Sequence, residues 1–413
     1  MALTELDKSK DRSHKFPQFL PDGRQFIFLA QPSNEIRLGS LDSPDSTRLL
    51  NADSKAMYAA GYLLFVRDQT LMAQPFDVGG GELRSDPVPI AEGVPANPSN
   101  GRSAFYVSES GVLTYRTGTG GNTTQLVWFD RSGRTLGVVG EMARYLDLAL
   151  SPDGSRALVA SFVQGEAPDL WTVDVERGLR TRFTFRSSVD IQPIWSPNGQ
   201  QVVFSSGTGI PYDLYLKDAT SSAPEVLLLD DDQSKYPFSW SPDGQFILYG
   251  SGGTGLSQDL WILPLSNRKP RPYMQTAYSE FAGRFSPDGR WVAYRSNESG
   301  QPDIYVAPFP GPGEKLRISS AGAVGGYPRW RRDGRELFYL ASDNRLMAVE
   351  VDGSGPKFIA APPTALFPTR SAIGRDTFDV SPDGKRFLML TGQDDIQDEL
   401  VTVVLNWTAA LKN

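Results

Sequence analysis

The chain has no cysteine in its 413 residues and a single histidine, His14. Disulfides, thiolate nucleophiles and cysteine-ligated metals are therefore excluded, while the redox compartment stays open, because a cysteine-free protein tolerates either. A Ser-His-Asp triad has only His14 to draw on, and G-x-S-x-G is absent. No apolar run reaches the ~18 residues of a membrane-spanning helix, and the N-terminal MALTELDKSKDRSHKF is polar where a signal peptide needs an apolar core. The chain's own residues thus predict no direct membrane insertion and no export address, which points to the cytoplasm. Cations are also in short supply: 41 Lys and Arg against 48 Asp and Glu leave a formal net charge of −7. Phosphate backbones are recruited by clustered Lys and Arg, so nucleic acid is not an expected partner.

Turn formers and aromatics are plentiful, with 40 Gly, 31 Pro, 22 Phe, 15 Tyr and 8 Trp. Many turns joining aromatic-rich strands predict an all-β fold. The segment FLPDGRQFIF at 19–28 recurs as LSPDGSRALV at 150, WSPNGQQVVF at 195, WSPDGQFILY at 240, FSPDGRWVAY at 285, WRRDGRELFY at 330 and VSPDGKRFLM at 380, with a degenerate VSESGVLTYR at 107. The glycines at 23, 111, 154, 199, 244, 289, 334 and 384 are spaced by 88, 43, 45, 45, 45, 45 and 50 residues. The gap of 88 hides one more unit, carried by GYLLFV at 61–66, which makes about nine units.

Each unit has a physical logic. Pro presets φ for a turn, Asp or Asn bonds its neighbours, and Gly takes the positive φ that closes the hairpin. The residue four before each Gly is apolar in all eight copies (Phe19, Val107, Leu150, Trp195, Trp240, Phe285, Trp330, Val380) and is predicted to be core. A strand follows the Gly, a third opens at Asp169, Asp213, Asp259 or Asp303, and a fourth follows it. Four short antiparallel strands per 45 residues, each unit burying its faces only against neighbours, predict a β-propeller of four-stranded blades.

These SPDG units resemble the TolB-type, WD-repeat-like propeller family. FPQFLPDGR, LMAQPFD, SPDGRWVAYRSNESG, YPRWRRDGRELFYL and VVLNWTAAL further resemble the extracytoplasmic propellers of certain bacterial receptor-type serine/threonine kinases. The resemblance implies a sensing or binding role and a periplasmic or extracytoplasmic location. The lysine strand, HRD loop and DFG element of a kinase are missing, so kinase activity belongs only to a longer parent.

Signals of chemistry each meet a plainer reading. Gly250 to Gly255 match G-x-G-x-x-G but lead into QDLWIL and not a helix, so no helix N-terminus anchors a phosphate and a hairpin loop is expected. Asp230, Asp231 and Asp232 lack the Gly and distal Glu of a calcium loop. Asp169, Asp213, Asp259 and Asp303 stand one per blade, and hydrogen bonding to local backbone accounts for them. Trp195, Trp240 and Trp330 share register with Phe19, Leu150 and Phe285, which predicts packing between blades. No metal site and no cofactor are expected.

One column is different. Nine residues before the turn Gly stand His14, Arg102, Tyr145, Asp190, Lys235, Glu280, Gly325 and Arg375, seven of eight polar or titratable. At the loop into each innermost strand they are expected to ring the mouth of the central channel, where they suit a small polar ligand or a loop of a partner protein. The alternative is ion pairing between adjacent blades. The last unit, with strands DTFDVS, RFLML and ELVTVVLNW, needs a fourth. TLGVVG at 135–140 supplies it if a six-bladed ring spans 135–413 and residues 1–134 form three N-terminal blades, the favoured arrangement. LTEL at 3–6 supplies it if 1–413 is a single nine-bladed ring. The function expected is a non-catalytic binding, sensing or protein-interaction propeller. The alternatives are a lactonase-like hydrolase with a metal in its channel, or a structural spacer.

Overall fold

The computed structural model describes residues 4, 6, 11, 13–97, 100–108, 111–117, 123–162, 167–252, 258–311, 313–319, 322–323, 327–369, 376–392 and 401–411. Among these residues there is no α-helix; strands and turns dominate, and Trp407–Leu411 forms a 3-10 helix. The fold is an all-β propeller of antiparallel sheets, mostly four-stranded. The chain divides into two compact units, Thr123–Gln393 and a second made of Met1–Asn122 with Asp394–Asn413. The boundary expected between residues 134 and 135 is therefore displaced, and the C-terminal segment belongs with the N-terminal residues.

Among the described residues, unit Thr123–Gln393 holds six sheets. Sheet I runs Tyr145–Leu150, Arg156–Ser161, Asp169–Asp174, Arg180–Arg182; sheet II runs Val189–Trp195, Gln201–Gly207, Asp213–Asp218, Val226–Leu229. Sheet III runs Ser234–Trp240, Phe246–Gly252, Asp259–Pro264, Arg271–Met274, and sheet IV Glu280–Phe285, Trp291–Ser296, Asp303–Pro308, Leu316–Arg317. Sheet V contains Arg329–Trp330, Glu336–Leu340 and Arg345–Asp352, the last flanked by Ile359–Ala360 and Thr364–Pro368.

Sheet VI is composite: Phe378–Val380 and Arg386–Gly392 continue into Thr124–Asp130 and then Thr135–Ala143. The expected TLGVVG strand is present, but at the outer edge, and Thr124–Asp130 takes the third place expected for ELVTVVLNW. TQLVWFD pairs over its whole length with Arg386–Gly392 and buries Leu126, Val127 and Trp128. The strand Thr402–Val404 pairs instead with Leu113–Tyr115, next to neither Thr135–Gly140 nor residue 4 or 6. Its alternation suits one-sided burial, since Val401, Val403 and Leu405 face outward while Val404 packs beside Trp407.

The second strands read as unbroken apolar runs because both faces are covered. Period 2 sends Val202 and Phe204 toward sheet I and Val203 toward sheet III. Six clusters built in this way join I to II, II to III, III to IV, IV to V, V to VI, and VI back to I. The sheets thus pack in a closed cycle.

The turns interlock as well. Gly154, Gly199, Gly289 and Gly334 lie at positive φ, and a Cβ on each would meet the proline of the preceding sheet's turn, from 2.9 Å at Pro382 to 3.8 Å at Pro287.

Unit Met1–Asn122 with Asp394–Asn413 contains the sheet Ser13–Phe19, Gln25–Gln31, Glu35–Ser40, Ser43–Asn51 and the sheet Met57–Ala59, Tyr62–Arg67, Thr70–Asp77, the last flanked by Glu82–Leu83 and Val88–Ala91. Its third sheet is Phe105–Val107, Leu113–Tyr115, Thr402–Val404, accompanied by the short pair Ala96–Asn97 and Arg102–Ser103. Phe19 corrects the expected core column: it is 52% exposed, its ring centroid 5.6 Å from that of Phe26 on the neighbouring strand. Trp240 and Trp330 are half-buried, with Nε1 donating to Gly244 O and Arg284 O (both 3.1 Å), whereas Trp195 is core.

Candidate functional site

The innermost strands carry a repeated irregularity. Register slips between Tyr145 and Asp147, Ile191 and Ile194, Pro237 and Ser239, and Phe281 and Arg284, with Gln192 and Ala282 at positive φ. A bulge re-aims side chains, and here it aims them at the axis of the cycle.

The Gln192 side-chain amide donates to Tyr327 Oη at 2.8 Å, joining sheet II to the residues that lead into sheet V, its opposite in the cycle. Gln192 N donates to Asp147 Oδ2 at 3.0 Å, and the Tyr327 ring meets Phe238 edge-on at 5.4 Å. Arg284 lies over Tyr327 and sends Nη2 to both oxygens of Asp376 (2.9 and 3.1 Å). Arg329 donates Nη2 to Asp376 Oδ1 (2.6 Å) and Nε to Asp379 Oδ1 (3.1 Å), while Asp379 Oδ2 accepts Leu150 N at 2.9 Å. Asp147, Gln192, Tyr327, Arg329 and Asp376 are all buried. A buried polar network therefore crosses the axis.

At the turn end the network meets a cavity of 310 Å³, walled by Trp195, Trp240 and turn prolines and floored by Arg284, Arg329 and Asp379. Among the described residues Nη1 of Arg284 has no acceptor. Burial, and then the neighbouring Arg329, lower the Arg284 pKa. Such a donor gains from any acceptor that reaches it, since an unmade buried hydrogen bond costs about 1–3 kcal/mol.

The expected polar rim is redistributed. Asp190, Lys235 and Glu280 are fully buried and Tyr145 nearly so, so none offers a side chain to a solvent-facing mouth. Asp190 Oδ1 accepts Ser188 Oγ (2.9 Å) and Ser206 Oγ (2.6 Å), Oδ2 has no partner among the described residues, and burial raises the carboxyl pKa. Lys235 Nζ contacts Asp231 Oδ1 (2.7 Å), Gln233 O (2.7 Å) and Asp213 Oδ1 (3.1 Å). Glu280 accepts Thr276 Oγ1 and is likewise raised by burial. Tyr145 Oη donates to Glu141 O at 3.0 Å, and burial raises its pKa too.

His14 and the exposed Arg102 belong to the other unit. His14 Nδ1 contacts Thr4 Oγ1 at 2.9 Å, and its pKa is lowered by burial. Arg375 and Gly325 lie outside the described residues, as do Gly253–Gly255 of the glycine motif.

The strand-opening aspartates find side chains where local backbone was expected. Asp169 pairs with Arg182, Asp303 with Arg317 (2.6 Å) and Ser319 Oγ (2.6 Å), Asp213 with Lys235, and Asp259 accepts Gln275 Nε2 (2.9 Å). Among the described residues no three His, Asp or Glu converge as metal ligands, and no helix is long and apolar enough to cross a membrane. The axial residues carried a readable signal: the column five before the turn Gly holds Arg284, Arg329 and Asp379.

No protein-family model matches the chain. Curated relatives include the Tol-Pal system protein TolB of Anaeromyxobacter dehalogenans (strain 2CP-C) and that of Anaeromyxobacter sp. (strain K), each 30% identical over 119 residues. The match covers 29% of this chain and spans only 26% of either relative. Among solved structures, a putative TolB from Agrobacterium tumefaciens superposes with a TM-score of 0.51 at 18% identity, covering 65% of this chain and 97% of that one. TolB from Acinetobacter baumannii gives 0.42 at 15% identity, over 82% of this chain and 79% of that one.

Proposed function

We propose that this TolB-like β-propeller is a non-catalytic binding module, and that the turn-end mouth of its axis receives a loop of a partner protein with an acidic side chain directed at Arg284 and Arg329. The observation that carries the reading is the unpartnered Arg284 Nη1 beneath a 310 Å³ cavity walled by tryptophan and proline. Charge-assisted bonds to guanidinium are strong and directional, and flat rings supply contact area at little entropic cost. The axial network favours binding over chemistry, because Asp147, Asp376 and Asp379 already serve guanidinium or backbone donors.

We take the six-sheet unit as one ring and the other unit as a separate array. Likeness to kinase-linked propellers supports a sensor role in a larger, extracytoplasmic signalling protein. Acidic and neutral peptide libraries displayed against the full chain test the site. Acidic peptides should be enriched and lost in Arg284→Gln at unchanged circular dichroism; enrichment without acidic residues, or binding that survives this change, refutes the reading.

A further inference from the structure

Six turns close the cycle, and five read S-P-D/N-G; the sixth, in sheet V, reads Arg331-Arg332-Asp333-Gly334. In the other five the Ser hydroxyl bonds the turn Asp or Asn two residues on, at 2.5–2.7 Å. Arg331 abandons that role. Its Nη1 donates to Glu336 Oε2 at 2.9 Å, and Arg131, from sheet VI, grips the same carboxylate through Nη1 (3.1 Å) and Nη2 (2.7 Å). Glu336 is itself a departure, standing where the other five copies carry Arg156, Gln201, Phe246, Trp291 and Arg386. A repeat that breaks its own rule at one position without losing the fold marks that position for something other than the fold.

The altered residues line a cavity of 950 Å³ on the turn face beside sheets IV, V and VI, separate from the axial mouth. Trp330, Phe358 and Trp291 form one wall, Phe358 meeting Trp330 edge-on at 5.9 Å and Trp291 at 5.1 Å. Arg290 pins the opposite loop by donating to the carbonyls of Gly353, Ser354 and Gly355 (2.7–3.0 Å). The charged lining is nearly balanced: four cations (Arg131, Arg331, Arg335, Lys385) face five carboxylates (Asp288, Asp333, Glu336, Glu350, Asp352).

That balance decides the ligand class. A free anion or cation gains little net field here, and Glu336, Asp288, Asp333 and Asp352 are already held by guanidinium groups or turn donors. A purely apolar ligand would strip water from the guanidinium and carboxylate wall without replacing it. A ligand with an apolar C–H face and a hydroxyl edge satisfies both walls, and the volume is at the upper end of small-ligand sites, about 300–1,000 Å³. We infer that this cleft is a binding site for a neutral oligosaccharide of two or three rings, one sugar face lying on Trp330 and Phe358 and its hydroxyls bonded to the Arg131–Glu336–Arg331 wall. The ion pairs hold that wall in one geometry before binding, which lowers the ordering cost.

Ligand-observed saturation-transfer NMR on the full chain, with cellotriose, maltotriose and triacetylchitotriose as probes, tests the site. At least one probe should bind in the millimolar range or tighter, with strongest saturation on ring C–H protons. Arg331→Ser restores the residue that five sibling turns carry, so it should melt like the parent and weaken binding roughly tenfold or more. Trp240→Arg, at the axial mouth, should leave saccharide binding unchanged, which separates this site from the proposed peptide site. The inference is overturned if no probe shows saturation transfer, if Arg331→Ser binds like the parent, or if Trp240→Arg abolishes binding.

Discussion

Gly154 and Gly244 occupy equivalent turns and share φ of +75°, so the backbone penalty of adding a side chain is the same at both, about 1 kcal/mol for Ala in the left-handed region. Their surroundings differ. A Cβ at Gly244 meets nothing within 4 Å, whereas one at Gly154 would stand 2.9 Å from Cδ and 3.1 Å from Cγ of Pro382, in the turn of sheet VI. Overpacking of that kind costs about 1–3 kcal/mol more. Gly244→Ala should therefore destabilise by about 1 kcal/mol and Gly154→Ala by about 2–4 kcal/mol. Adding Pro382→Ala to Gly154→Ala should recover most of the excess, a coupling of roughly 1 kcal/mol or more. Urea unfolding followed by tryptophan fluorescence is the assay, since seven of the eight tryptophans lie in Thr123–Gln393 and only Trp407 lies outside it. Equal costs at the two glycines, or no rescue by Pro382→Ala, would refute the interlocking of turns across the VI–I seam.

Two further predictions concern pH. Burial raises the folded pKa of Asp190, so its contribution to stability is present below the ordinary carboxylate range and is lost as pH rises through the folded value; Asp190→Asn should thus stabilise by about 1 kcal/mol at neutral pH, an advantage that must vanish near pH ~4 in thermal melts. Asp153 is the opposite case: bonds from the Ser151 hydroxyl and then Ser155 N lower its pKa to about 2, so stability present above the ordinary carboxylate value is lost as pH falls from there through about 2. The side chain is exposed, and after screening the loss is roughly 1 kcal/mol; Asp153→Asn, which copies Asn198 of the sibling turn, should fold normally at pH ~7 and not show this acid loss.

The architecture was legible because turn chemistry repeats almost unchanged: Pro, Asp and Gly at fixed offsets dictate hairpins whatever their neighbours are. Strand identity near residues 124–130 and 399–407 was not. Both stretches are apolar and β-prone, and only the partner decides that TQLVWFD sits buried between two strands while TVV lies at an edge. The polar column was expected in the loop that enters each innermost strand, but Tyr145, Asp190, Lys235 and Glu280 already lie within those strands, where neighbouring sheets cover them. A bulge then re-aims the residues that follow. Asp190, Lys235 and Glu280 accordingly end up buried, and Arg284, Arg329 and Asp379, closer to the turn than the bulge, supply the mouth.

The composite sheet VI also sets an order of events during synthesis. Thr124–Asp130 leaves the ribosome early but finds its partner, Arg386–Gly392, only after more than 250 further residues. Until then the strand at the start of the ring has one hairpin neighbour, Thr135–Ala143, and an open edge. Closing so long a loop is slow relative to pairing within sheets I to V, which are local hairpins. The other unit waits longer still, since its third sheet takes Thr402–Val404 from beyond the residue that closes the ring. Thr123–Gln393 can thus complete its six sheets before Thr402–Val404 becomes available to Leu113–Tyr115.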